Sequence, residues 1–173
     1  VRPINKPEDV EGLKLRTPPE IQIVAAMEAL GASTAQIAFP ELPNALNQGV
    51  VDGQENPIGV IYHFKMNELQ KYLALTQHVY NSMMHVIAKT TWDKLTPEQQ
   101  TIVREESVSA GELMRKLVVA QEKDDLAKLE AAGMQITRPD LAPFVAKMGP
   151  ARERVAEYAG KENEDKFLSF LKH

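Results

Sequence analysis

The sequence predicts an α/β fold with a parallel βαβαβ core, and three observations predict it. Segments of strand length recur at residues 13–17, 34–39 and 50–53. Helix-length segments lie between them. The connections are short, with Gly31 and Gly49 placed where helices would close. Strand, helix and strand in that order give parallel pairing with right-handed crossovers. In such sheets the carboxyl ends of the strands face the ligand crevice. Arg16, Phe39 and the loop of residues 52–56 all fall at those ends.

Each element follows from local chemistry. Pro7, Glu8 and Asp9 suit a short first helical turn. Residues 13–17 alternate and then meet Pro18 and Pro19, which stop a strand. Residues 21–30 carry apolar side chains at 21, 24, 25, 27 and 30, a helical spacing. Residues 40–48 form a second helix, with Pro40 tolerated in its first turn. Residues 58–73 read as helix, and residues 76–88 as an extended, strand-rich stretch. Thr96, Pro97 and Gln99 make a capping box with proline at the first helical position. From there to residue 132 only Gly111 interrupts the helical pattern, and Gly133 stops it. A helix that long bridges two bodies or packs on a partner. A short strand at residues 135–137, a helix capped by Asp140, and helices near residues 151–159 and 163–172 complete the chain. Residues 1–78 are expected to form a ligand-binding α/β lobe. Residues 79–173 are expected to supply a hinge strand, an inter-lobe helix and C-terminal helices for the other lobe.

Composition excludes several classes. Of 173 residues, 43% are apolar and 25% charged, so a core can form. The net charge of −4 comes without a basic stripe, which argues against nucleic acid as a partner. There is no cysteine, so thiol catalysis, disulfides and thiolate metal sites are excluded. No metal site is expected, because His63, His78, His85 and His173 show no ligand spacing; structural or surface roles are expected for them. No nucleophile elbow, phosphate-binding glycine loop or dinucleotide fingerprint is present, and no cofactor is expected. Met27, Met66, Met83 and Met84 are expected to fill core gaps, Trp92 to pack beside a short helical turn, and the acidic pairs Glu105-Glu106 and Asp124-Asp125 to lie on solvated faces. Val1, Arg2, Pro3 and Ile4 resemble neither an initiator nor a secretory signal, so the chain is expected to be part of a longer protein.

Arg16 is the first candidate for chemistry. Its planar guanidinium matches a carboxylate in two parallel hydrogen bonds, and the prolines beside it stiffen its strand end. The loop 52–56 has four polar side chains in five residues. Within it Asp52 and Glu55 are expected to be structural, and Asn56 to contact ligand, because an amide donates and accepts without repelling an anion. Phe39 serves equally as a crevice wall or as a core aromatic.

The string Gly49-Val50-Val51-Asp52-Gly53-Gln54-Glu55-Asn56-Pro57, preceded by Phe39, Glu41, Leu42, Ala45 and Leu46, resembles the solute receptors of tripartite ATP-independent periplasmic (TRAP) transporters, of the dicarboxylate-receptor type. Pro7-Glu8-Asp9, Gly12 to Arg16, Ala29-Leu30-Gly31-Ala32, Gln70-Lys71-Tyr72-Leu73, Thr76, His78-Val79-Tyr80, Lys94 to Glu98 and Ala131-Ala132-Gly133-Met134 match as well. The resemblance implies a periplasmic two-lobed receptor that closes on its ligand, with a long helix spanning both lobes. It implies that Arg16 salt-bridges a ligand carboxylate, Asn56 assists and Phe39 lines the pocket. The partners it implies are a small carboxylate-bearing solute and the membrane subunits of the transporter. Thr17, Pro19 and Pro43 depart from the family pattern. The expected function is therefore a binding protein, not an enzyme. The rival readings are an α/β enzyme of organic-acid metabolism, and a helical module dimerising through residues 97–132.

Overall fold

The computed structural model describes residues 1–80 and 82–170. Its organising element is β1 (Lys14–Thr17), whose alternation sends Leu15 and Thr17 to one face and Arg16 to the other. On one edge β1 pairs in parallel with β2 (Ser33–Gln36), and on the other with β3 (Gly53–Gln54), giving the order β2-β1-β3. The helices α1 (Ile21–Ala29) and α2 (Leu42–Asn47) are the crossovers. The parallel βαβαβ core is as the sequence predicts, with shorter strands. β2 ends at Gln36, opposite Thr17, where Pro18 closes β1, and residues Phe39–Glu41 turn into a 3-10 helix. β3 starts at Gly53, after Asp52 has clamped β1: its N–H donates to the Lys14 carbonyl at 2.7 Å, and its carboxylate accepts from the Lys14 N–H at 2.8 Å. A Cβ on Gly53 would stand 3.1 Å from Leu15 Cδ2, so a larger residue here would press on the Leu15 side chain.

Two apolar clusters hold the fold. Val10, Met27, Leu30, Ala32 and Phe144 form one, with Leu15 packed against it. Leu42, Ile61, Met66, Leu129 and Met134 form the other. Met27 and Met66 thus fill core gaps as expected, whereas Met83 and Met84 are exposed.

Residues 58–73, predicted as one helix, divide into three. α3 (Ile58–His63) ends at Phe64, where Lys65 takes the left-handed conformation at φ 56°. A 3-10 turn, Met66–Glu68, then drives Met66 into the core, and β4 (Tyr72–Ala74) follows. β4 pairs in parallel with β5 (Gln135–Thr137) as a second sheet. The strand expected within residues 76–88 is absent among the described residues there; the extended segment that finds a partner lies just before it.

α4 (Lys89–Trp92) precedes α5 (Pro97–Ala131), a single helix of 35 residues. The guanidinium of Arg104 lies over the Trp92 ring, 4.8 Å from its centroid. The capping box forms in both directions: the Gln99 N–H donates to Thr96 Oγ1, and the Thr96 N–H to Gln99 Oε1. At the other end Gly133 takes φ 90°, and Met134 N–H reaches back to the Leu129 carbonyl at 3.1 Å, which satisfies an orphan acceptor. Among the described residues no helix is long and apolar enough to cross a membrane.

α6 (Ala142–Ala146), α7 (Gly149–Ala159) and α8 (Lys161–Phe170) end the described chain. The Asp140 carboxylate accepts from the Ala142 N–H at 3.1 Å, the capping role read from sequence. These C-terminal helices were expected to serve another lobe. Instead α7 packs on α1, where Arg154 pairs with Glu28, and α6 puts Phe144 into the first cluster. The last stretch of the helix predicted to residue 172 and His173 lie outside the described residues. Glu105 and Glu106 are solvated as predicted, but Asp125 is buried.

Candidate functional site

Arg16 is the penultimate residue of the central strand, and only 4% of its surface is exposed. Its Nε donates to the carbonyl of Ile37 at 2.8 Å, just past the end of β2. Among the described residues its two terminal nitrogens take no protein acceptor. They are not sealed in either, because Thr17 Oγ1 is the enclosed side-chain atom without a partner. Burial holds the guanidinium below the ordinary arginine range, and the negative charge of Glu55 pulls the other way. Arginine stays protonated throughout the physiological range, so the site is a fixed cation whose outer end is free to bond.

Around that cation the parallel topology collects the ends of three segments. The Phe39 ring centroid lies 6.0 Å from the Arg16 guanidinium carbon. Phe64, from the end of α3, meets Phe39 edge to face at 4.9 Å and 89°. On the opposite edge, Gln54 of β3 is the register partner of Arg16. Asn56 donates from Nδ2 to Gln54 Oε1. Glu55 Oε2 lies 3.5 Å from His78 Nε2, and Nδ1 of the same imidazole is 2.7 Å from Thr76 Oγ1. The structure therefore brings Arg16 and Phe39 together. It ties Asn56 to the neighbour of Arg16 in the sheet.

Sequence reasoning missed three participants. Glu55 was read as structural, yet its negative charge acts on Arg16. His78 was read as structural or surface, and its partner is distant in sequence. Phe64 was hidden inside a segment read as continuous helix. The signal that points to Phe64 is local: Tyr62, His63 and Phe64 put three aromatic rings on one helix end.

A cavity of about 350 Å³ opens beside the sheet. It is lined by the apolar Leu13, Leu15, Met27 and Phe144, and also by Asn56 and His78. Arg16 is not part of its lining, because alternation along β1 turns Arg16 to the face opposite Leu15. Residues 52–56 all line the cavity.

Comparison with known proteins gives a consistent picture. A family model described as bacterial extracellular solute-binding protein, family 7, matches residues 1–158. The sialic acid-binding periplasmic protein of Vibrio cholerae is 38% identical over 149 residues, which is 86% of this chain and 46% of that protein. The 2,3-diketo-L-gulonate-binding periplasmic protein of Escherichia coli is 34% identical over 148 residues, 85% of this chain and 45% of that one. Among solved structures, a TRAP periplasmic solute-binding protein from Polaromonas sp. JS666, bound to D-erythronate, superposes with a TM-score of 0.87 at 36% identity, over 94% of this chain and 54% of its own. The chain thus spans about half the length of the curated relatives it matches.

Proposed function

Because the chain belongs to the family 7 bacterial extracellular solute-binding proteins, we propose that it supplies the carboxylate-gripping part of a periplasmic receptor, which delivers a small organic acid to a TRAP membrane transporter. The observation that carries the reading is the state of Arg16. A guanidinium largely removed from water, with a single protein hydrogen bond among the described residues, is costly unless an anion meets its remaining donors. With Nε committed to Ile37, the two terminal nitrogens form an end-on fork for a carboxylate. Phe39 excludes water from one side of that fork. Asn56, held by Gln54, orients the second carboxylate oxygen or a neighbouring hydroxyl. Glu55, paired with His78, balances the cation before the solute arrives. The receptor is not an enzyme in this reading, because the relatives above are solute-binding proteins.

The solute class we favour is a hydroxylated carboxylic acid, since the relatives above are named for, or hold, sugar-derived acids. The remaining contacts come from a second body. The apolar side chains exposed along α5, and Tyr80, Met83 and Met84 before it, support a body packed there. The doubled length of the relatives favours a further lobe of the same receptor over a second copy.

The test is calorimetry on the full-length receptor with a panel of sugar acids and short dicarboxylates. Arg16→Ala is expected to weaken binding of the preferred acid by about a hundredfold or more, the size seen when one member of a buried charge pair is removed. Arg16→Lys also loses affinity, because a point charge cannot reproduce the fork. Near-native affinity in the alanine variant sinks the reading.

A further inference from the structure

Phe64 has an unusual setting for a large apolar residue. It is 58% exposed, yet it is held in place from three sides. Its own N–H caps α3 by donating to the Val60 carbonyl at 3.0 Å. Its ring stands edge-on to Phe39. Lys65 after it adopts a left-handed backbone that a lysine rarely takes, and donates its N–H to the Tyr62 carbonyl at 3.0 Å. Without that reversal α3 would continue, and the chain after residue 64 would not turn Met66 into the core. A strained backbone that leaves an aromatic ring in the open against Phe39, itself the neighbour of a buried cation, is an arrangement that packing alone does not call for. The helix that carries the ring is itself anchored. α3 runs directly from the Asn56-Pro57 end of the site loop, and Ile61 anchors it in the second apolar cluster.

We propose that Phe64 is a further ligand-binding residue of the Arg16 site. With Phe39 it forms an aromatic wall against which the C–H face of a hydroxy acid rests while its carboxylate meets the guanidinium. This deepens the receptor reading and rests on it. The wall also sorts solutes. Aromatic faces carry partial negative charge and favour C–H edges and cations over anions. An acid whose carbon skeleton presents hydrogens to the two rings gains from both. A short dicarboxylate, whose second anionic group would come against the rings, does not.

The experiment uses the full-length receptor, stripped of bound solute, titrated by calorimetry with D-glucuronate, D-erythronate and succinate. Wild type, Phe64→Ala, Phe64→Tyr and Arg16→Ala are compared, with melting temperatures for each. Phe64→Ala is expected to weaken the sugar acids by roughly three- to tenfold, the scale of one aromatic contact, and to narrow their advantage over succinate. Phe64→Tyr keeps a ring and stays close to wild type. The melting temperature hardly moves, because the side chain is exposed. Affinities and ratio unchanged in Phe64→Ala, with binding lost in Arg16→Ala, overturn the inference and leave the receptor reading intact. An equal loss in both Phe64 variants, accompanied by a lowered melting temperature, overturns it as a structural effect. A wild-type receptor that binds none of the three overturns the receptor reading and this inference together.

Discussion

The two ends of α5 are one continuous helix in very different surroundings. From residue 101 to 124 every side chain is exposed except Ser107 and Gly111, and Ile102, Val108, Leu113, Leu117 and Val119 stand in the open. From Asp125 the helix turns a buried face to α3: Asp125 and Leu129, one turn apart, are both enclosed. The last turns are held by packing, while the first are held by the capping box at Thr96 and by helix propensity. Helices gain most of their stability from a packed apolar face. The first half therefore carries apolar side chains that nothing among the described residues covers.

The sharpest way to break this comparison is to delete side chains on both sides of it. Leu129→Ala opens a void between Ile61, Met66 and Met134, and is expected to cost about 2–5 kcal/mol in denaturant unfolding. Val119→Ala is expected to change stability by less than about 0.5 kcal/mol in this chain. Equal effects would show that the first half is packed in solution. In the full-length receptor the Val119 cost should rise, since a second lobe there would bury it.

Asp125→Asn tests the polar part of the packed half. Asp125 Oδ2 lies 3.3 Å from His63 Nε2, and its Oδ1 lies 3.4 Å from Lys128 Nζ. Both partners are about half exposed and regain water when released, so the expected loss is about 1–2 kcal/mol in urea unfolding. A smaller effect is expected from Thr96→Ala. It removes the acceptor for the Gln99 N–H and should cost about 1 kcal/mol, confined to the exposed half. Hydrogen exchange would read that confinement as faster exchange in the first turns of α5, with no change around Leu129.

What was legible in the sequence follows the same division. The strand-helix alternation over residues 13–54 was readable because local pattern and tertiary packing agree there. So were both ends of α5, where Thr96, Gln99 and Gly133 carry their own capping chemistry. Arg16 was readable as a candidate because strand order alone puts it at a carboxyl end of the parallel sheet. The left-handed Lys65 was not, since no glycine or asparagine marks it, and the segment 58–73 was consequently read as one helix. Asp125 was misread as solvated because its acidic neighbour Asp124 suggested a charged face; its spacing of four from Leu129 was the contrary signal. The pairing of Glu55 with His78 joins residues that no short-range pattern relates. Met83 and Met84 were read as core because apolar character does not say which body supplies the cover.

The smallest effect separates the two environments most cleanly, because it is the same substitution made twice. Thr17 is fully buried on the face of β1 opposite Arg16, and its hydroxyl has no hydrogen-bond partner among the described residues. Thr17→Val keeps the shape and removes a desolvated polar group, so it should stabilise the fold by about 0.5–1 kcal/mol in denaturant unfolding. Thr101 lies in the exposed half of α5, where its hydroxyl donates to the Pro97 carbonyl at 3.0 Å. Thr101→Val exchanges one β-branched residue for another in contact with water, and should move stability by a few tenths of a kcal/mol at most. The Thr17 variant should leave acid affinity in the full-length receptor unchanged, because alternation turns its side chain from the guanidinium. A gain in stability together with a fivefold loss of affinity would mean that the hydroxyl reaches the solute, and that the site extends through the sheet to the face now assigned to the core.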